Sequence, residues 1–366
     1  MSTSYFKKGG YFMNTQRKHV LLVFLSFLFL LHLTAEAFAE NEPKVLFKMA
    51  TIAPRGSYLT EMMDKIDAEI RQKTNNEVGV KLYYGGVQGD ESDVLRKIRM
   101  GQLHGGAFTG SGLGRIVPAV RVTEVPYLFM NYNEVEYVRK ALRPEMEKLF
   151  EEQGFIVIGW NEIGFVYNFS KVPITTIEIA RAQKWWMWEG DKLSKAMFDA
   201  YGITPVPLSF TDVMTSLNTK LIDTASITPY GAVAYHWYEK FQYMTEYPTT
   251  NVQGATIVTK SLWDKITPDS RQKIKGICQP YFDDLSLYSR DQDRKSVKVL
   301  KKAGMRVVAF DPEKDKGWLQ FVFNTAKKAR ESLAGKLYSQ ELLNRVLSLL
   351  DEYRKAHPDS DIEKIR

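Results

Sequence analysis

Cysteine is nearly absent from this chain. The single one, Cys278, lies in a helical pattern and can form no internal disulfide. Histidine is also scarce: beyond residue 39 only His104, His236 and His357 remain, the last in a polar tail. A histidine-centred triad or a multi-histidine metal site therefore has few candidates, and neither metal nor cofactor is expected. Lysines and arginines are scattered among acids along helical stretches such as 290–302. With no basic stripe interleaved with aromatics, nucleic-acid binding has no support. The run Gly110-Ser111-Gly112-Leu113-Gly114 lacks the spacing of a nucleophile elbow or a dinucleotide fingerprint, and reads as a flexible lip. There is no low-complexity segment, no short-period repeat and no second long apolar run after the one at 20–33.

That one run marks an exported chain. Arg17, Lys18 and His19 precede it, and Ala37-Phe38-Ala39 before Glu40 fits the small-x-small pattern of a signal cleavage site. The run is shorter than the roughly 20 residues a permanent membrane helix needs. Residues 1–39 are therefore expected to be a cleaved signal peptide. Without them the formal net charge falls from +7 to +4, a mildly basic balance. Export without disulfides fits the periplasm of a Gram-negative bacterium. The 366 residues allow about two domains. A composition of 44% hydrophobic and 25% charged residues is that of an ordinary globular protein, whereas 13% aromatics favours buried clusters or ligand stacking.

Along the rest of the chain, strand and helix patterns alternate. Residues 44–52 alternate apolar and polar, and 58–73 carries Leu59, Met62, Met63, Ile66 and Ile70 on one helical face. A strand at 78–84, a helix at 91–100 capped by Asp90, and a strand at 105–109 follow. This order predicts a parallel sheet whose loops 52–57, 85–90 and 108–114 converge at the carboxyl ends of the strands. After a helix at 133–152, the run 155–170 is unusually long for one strand and can pass from one lobe to another. A second alternating set occupies 184–228, an apolar strand covers 254–259, and 268–302 reads as a long helix with one interruption at Pro280. A helix of about 30 residues, roughly 45 Å, can span both halves.

The most pointed motif is Lys184-Trp185-Trp186-Met187-Trp188-Glu189-Gly190-Asp191. In a strand Trp186 and Trp188 share one face and Trp185 and Met187 the other, so one pair can fill a core while the other lines a cleft. Gly190-Asp191 reads as a turn into a helix capped by Asp191. An aromatic strand ending at a helix start is a good platform for a small ligand.

Over nearly the whole chain beyond the signal, the sequence resembles the DctP-type periplasmic substrate-binding proteins of TRAP (tripartite ATP-independent periplasmic) transporters. The resemblance rests on the strand-loop Met49-Ala50-Thr51-Ile52-Ala53-Pro54-Arg55-Gly56-Ser57, the turn Gly89-Asp90-Glu91 and the segment Val125-Pro126-Tyr127-Leu128-Phe129. It rests equally on Gly202-Ile203-Thr204-Pro205-Val206-Pro207-Leu208-Ser209-Phe210, followed by Val213, Leu217, Leu221, Ile222 and Asp223. It implies a two-lobed α/β periplasmic binding protein fold, with hinged lobes joined by crossing strands and a long helix. The expected division is 40–165 with about 250–285 in lobe 1, and about 166–249 with 286–366 in lobe 2. The resemblance further implies a monomer that closes over a small-molecule ligand and a membrane permease of small and large subunits as partner.

Departures from the family pattern define the expected site. Trp186 stands where many members carry a carboxylate-binding arginine, Phe165-Val166-Tyr167 replaces a second arginine, and Ser226-Ile227-Thr228-Pro229 lacks the usual asparagine. The bidentate clamp is missing, which points away from simple dicarboxylates and sialic-acid-like ligands. A subset of the family carries a similar Trp-x-Trp-Glu-Gly-Asp motif, so the change reads as a specificity class. The π faces of Trp186, Trp188, Phe165, Tyr167 and Tyr230 suit an aromatic ring, an apolar acid or a methylated amine. Glu189 can pair with a cation, Arg55 can supply an anion contact, and Glu91 and Thr228 complete the expected set. The expected ligand is a small organic solute, an organic acid with an aromatic or apolar body in particular. The alternatives are a sensor subunit, or an exported hydrolase using carboxylates such as Glu162 and Glu189.

Overall fold

The computed structural model describes residues 42–309 and 316–358; the expected signal peptide lies outside them. The first lobe grows from strands that bury both faces. Strand β1 (Val45–Ala50) leads to helix α1 (Tyr58–Lys73), then β2 (Val78–Tyr83), α2 (Glu91–Arg99) and β3 (Gly105–Thr109). As expected, β1 pairs in parallel with both β2 and β3. A short turn of helix α3 (Gly110–Gly114) and a 3-10 segment (Pro118–Glu124) cross to α4 (Tyr132–Glu152). One face of this sheet packs Phe47, Met49 and Val78 against Met62, Met63, Ile66 and Ile70 of α1. The other packs Phe108 and Ile257 against Val94, Leu95 and Ile98 of α2 and Val138 and Leu142 of α4.

Strand β4 (Phe155–Ser170) runs its full 16 residues and leaves the first lobe for the second. There the chain forms α5 (Ile177–Arg181), β5 (Trp186–Trp188), α6 (Lys192–Tyr201), β6 (Val206–Leu208), α7 (Val213–Asn218), β7 (Thr224–Ile227), α8 (Pro229–Ala234) and β8 (Tyr243–Thr245). The later part of β4 pairs with β7 and β8, while β5 pairs in parallel with β6. Trp237, Phe169, Val213, Leu217, Ile222 and Leu300 form this lobe's core.

The chain recrosses in β9 (Thr250–Thr259), which pairs antiparallel with β3 on one side and with β4 on the other. The sheet is therefore mixed, where a parallel one was expected, because the returning strand enters from the second lobe. After α9 (Lys260–Trp263), helix α10 runs from Pro268 to Lys302 without the expected break, Pro280 being carried inside its 35 residues. At 1.5 Å per residue it reaches roughly 50 Å, enough to lie along both lobes. Its first half packs Ile274, Cys278 and Phe282 under the first sheet, and its end places Leu300 in the second core.

The C-terminal part follows β10 (Arg306–Val308) with α11 (Lys316–Leu333) and α12 (Gln340–Ala356). The expected placement of 286–366 in lobe 2 fails here. Helix α12 lies on α4 with Leu342, Leu343, Val346 and Leu350 in the first lobe's core, because its apolar stripe matches that of α4. Arg354 anchors it through an ion pair with the buried Glu134 at 2.7 Å. Helix α11 packs instead on α6 of the second lobe, around Met197, Ala326 and Ala329.

Candidate ligand-binding cleft

The lobes enclose a cavity of about 410 Å³ whose walls come from both of them. The first lobe contributes the β1–α1 loop, with Ile52, Ala53, Pro54 and Ser57, together with Glu91, Thr109 and Arg121. The second contributes Trp186, Trp188, Phe210, Thr228, Tyr230 and Tyr235. Their convergence follows from topology: β1 and β3 end at the cleft, and β5 and β7 end there from the opposite side.

Aromatic rings make the second-lobe wall. Phe210 sits 5.3 Å from Trp188, 4.8 Å from Tyr235 and 5.0 Å from Trp237, and Trp186 lies behind at 5.8 Å from Trp188. Trp186 is only 7% exposed and its Nε1–H is spent on the Leu208 carbonyl at 3.2 Å, so it offers the cavity ring surface and no donor. A second aromatic surface comes from Tyr58 of α1, stacked on Tyr288 of α10 at 3.9 Å, with Tyr230 edge-on to Tyr288 at 6.2 Å.

Three polar contacts cross between the lobes at the tryptophan motif. Trp188 donates its Nε1–H to Asp90 Oδ2 at 2.7 Å. Arg121 meets Asp191 Oδ2 at 3.1 Å, and Arg115 donates to the Glu189 carbonyl. Asp191 also caps α6, accepting from the amides of Leu193 at 2.9 Å and Ser194 at 3.2 Å, so the helix start and the interlobe ion pair share one carboxylate. These contacts hold the lobes in a closed arrangement.

Acids outnumber bases within the walls, where Glu91, Glu124 and Asp191 accompany Arg121. Arg121 lies between Glu124 at 3.0 Å and Asp191, and is the only lysine or arginine among the described cavity-lining residues. Burial pulls its guanidinium down, but Asp191 and Glu124 more than offset this and the net direction is up. Burial pushes Glu124 up from the ordinary carboxylate range even with Arg121 and Arg139 opposing it. Burial pushes Glu91 up to about 8, against hydrogen bonds from the Thr109 amide at 2.6 Å and hydroxyl at 3.0 Å. Glu91 thereby pins the end of β3 to the start of α2.

Of the nine expected site residues, Trp186, Trp188, Glu91, Thr228 and Tyr230 line the cavity. Phe165, Tyr167, Arg55 and Glu189 do not. The reason for the first two is a bulge in β4 between Glu162 and Gly164. Up to and including the bulged residue, Asn161 and Ile163 line the cavity; after it the lining switches to Val166 and Asn168, turning Phe165 onto Tyr132 at 4.9 Å in the first core. Gly164 holds φ +132 there, and a Cβ would lie 2.1 Å from Asp293 Oδ2, so only glycine fits. Arg55 is exposed at the loop tip, and Glu189 is exposed in the turn, where its carbonyl rather than its carboxylate is used. Thr228 serves mainly as the cap of α8, accepting from the Gly231 amide at 3.0 Å.

Sequence reasoning missed Arg121, Asp90 as an interlobe acceptor, Phe210 as wall, and the Tyr58–Tyr288 stack. Phe210 closes the Gly202–Phe210 segment and was within reach; Arg121 sits in a 3-10 segment whose three-residue spacing to Glu124 was the sole signal.

A model of the family described as bacterial extracellular solute-binding protein, family 7 (DctP), matches residues 49–332. The chain belongs to this family. A solute-binding protein of Chromohalobacter salexigens is 25% identical over 218 residues, which cover 58% of this chain and 64% of that relative. The ectoine/5-hydroxyectoine-binding periplasmic protein UehA of Ruegeria pomeroyi is 23% identical over 277 residues, 73% of this chain and 78% of that protein. A TRAP periplasmic solute-binding protein from Desulfovibrio salexigens, solved with bound orotic acid, superposes with a TM-score of 0.75 at 18% identity, covering 84% of this chain and 99% of that one. The family 7 chain thus shares the two-lobed fold of such receptors.

Proposed function

We propose that this family 7 protein is the periplasmic solute receptor of a TRAP-type secondary transporter. It captures a small organic solute by cleft closure and hands it to a permease of small and large membrane subunits. The carrying observation is a cavity walled by both lobes and bridged by Asp90–Trp188 and Arg121–Asp191, in a chain of this family. A solute touching both walls favours the closed state because only closure satisfies both sets of contacts. Organic acids are the class favoured by the neighbouring receptors, the orotate-bound one among them, and the aromatic walls favour an acid with a ring or apolar body. Export by a cleaved signal and a monomeric state complete the reading.

The hydrolase alternative loses its residues. Glu162 is buried in a hinge network with Arg290 at 2.8 Å and Asn251 at 2.9 Å, and neither it nor the exposed Glu189 lines the cavity. The test is native mass spectrometry of the mature protein against aromatic acids, apolar acids, methylated amines and dicarboxylates. Saturable binding of a compound released unchanged supports the receptor; a chemically altered compound, or no binding across the panel, refutes it.

A further inference from the structure

The cavity continues past the aromatic wall. Strand β5 sends Trp186 and Trp188 to one face and Trp185 and Met187 to the other, yet all four line the same space, so the cavity wraps round the strand. Beyond Met187 its walls are Ile174, Ile177, Met197, Tyr201, Trp318 and Val322, contributed by α5, α6, α11 and the segment before α5. The polar atoms nearest this crevice are already used: Trp185 donates Nε1–H to the Ala180 carbonyl at 2.7 Å, and the Tyr201 hydroxyl donates to the Val322 carbonyl at 3.1 Å. Among the described residues the rest of this lining is apolar apart from the Trp318 indole N–H and the Tyr127 hydroxyl, and so predominantly apolar a crevice is filled best by hydrocarbon.

Elsewhere the lining is polar, with Arg121, Asn161, Ser226 and Thr228. Its positive charge is limited to the Arg121 guanidinium, which already faces two carboxylates. One acid group has the Arg121 guanidinium to meet there, whereas a second has no further cation among the described lining residues.

We infer that the solute is an amphipathic monocarboxylic acid, its acid group at the Arg121–Asn161 end and its apolar body threaded past Met187 into the crevice between α5, α6 and α11. This rests on the receptor reading and sharpens it: compact polyhydroxy acids and dicarboxylates leave the crevice empty or bring a charge into it.

The test is titration calorimetry on the mature protein, stripped of co-purified solute by unfolding and refolding, with straight-chain monocarboxylates from butanoate to decanoate. Octanedioate, succinate and galactonate are measured alongside. Burying about 0.8 kcal/mol per methylene corresponds to an affinity gain of roughly fourfold per carbon until the crevice is full. Octanedioate should bind at least about tenfold more weakly than octanoate. Val322→Phe, checked for folding by circular dichroism, should weaken octanoate about tenfold and leave butanoate unchanged. Affinity that is flat or falling with chain length, or octanedioate matching octanoate, overturns the inference. If succinate or galactonate binds while the longer monoacids do not, the receptor reading survives and the inference fails; if none of the acids binds to folded protein, both fall.

Discussion

At the residue scale, the tryptophan motif divides its labour by face and by donor. Trp186 is held in the second core between Trp188 and Trp237, so Trp186→Ala removes buried ring surface as well as cleft wall. Its cost in folding free energy should be about 3–5 kcal/mol, read as a lower urea midpoint of the ligand-free protein. Trp188 behaves differently, because its Nε1–H reaches Asp90 across the cleft while its ring stays half-buried. Trp188→Phe keeps an aromatic ring, though a smaller one, and deletes the donor. When the lobes part, water can reach Asp90, so the loss falls on the closed state alone. A hydrogen bond to a charged group contributes about 1.5–3 kcal/mol, so solute affinity should fall about tenfold or more with little change in the urea midpoint. Equal affinity in the two proteins would remove this bond from the closing mechanism.

At the element scale, the hinge is built where β4, α4, α8 and α10 meet. Asp293 of α10 is 5% exposed and accepts from the Tyr230 amide at 3.0 Å and the Tyr132 hydroxyl at 3.4 Å, tying the long helix to both lobes. Burial pushes its carboxyl up to about 7, the two hydrogen bonds opposing and Glu162 adding to the shift. The folded form therefore binds a proton that the unfolded chain has released, and the associated stability is present at acid pH and lost as pH rises through about 7. Between roughly pH 4 and 7, Asp293→Asn should flatten this decline, since the amide oxygen still accepts from Tyr230 and carries no charge. Urea midpoints measured across that range check it; an undiminished pH slope in the variant would show that Asp293 is not its source. This same hinge marks the limit of what the sequence could reveal. The 16-residue length of β4 was plain, as were the caps at Asp90 and Asp191, because each depends on neighbours in the chain. Which face of β4 meets the ligand was not, since a bulge between Glu162 and Gly164, where Asp293 from more than a hundred residues away packs on the glycine, reverses the alternation.

At the scale of the whole molecule, the family pattern in the sequence made two lobes, crossing strands and a spanning helix legible, but not the course of the C-terminal segment. An amphipathic helix shows that it has a partner without showing which one, and α4 and the second lobe both offered apolar stripes. The structure gives α11 to the second lobe and α12 to the first, so these two helices strap the lobes together, α11 also lining the cavity with Trp318 and Val322. The energetic weight of the strap is large. Leu342, Leu343, Val346, Leu350 and Tyr353 of α12 are all buried, and at about 1.5–3 kcal/mol for each such side chain their burial amounts to roughly 10 kcal/mol. That rivals the whole stability of a typical domain, about 5–15 kcal/mol. Removal of α12 would also leave Glu134, fully buried beneath it, without the Arg354 guanidinium. A chain ending before Ser339 should therefore fail to fold cooperatively, giving no sharp urea transition and binding a hydrophobic dye. The double substitution Leu343→Ala with Val346→Ala should lower the urea midpoint while keeping a single transition, because the lobes share one long helix and two strands and unfold together. Two separate transitions in that variant would mean that the lobes are independent folding units, and that α12 stabilises the first lobe alone.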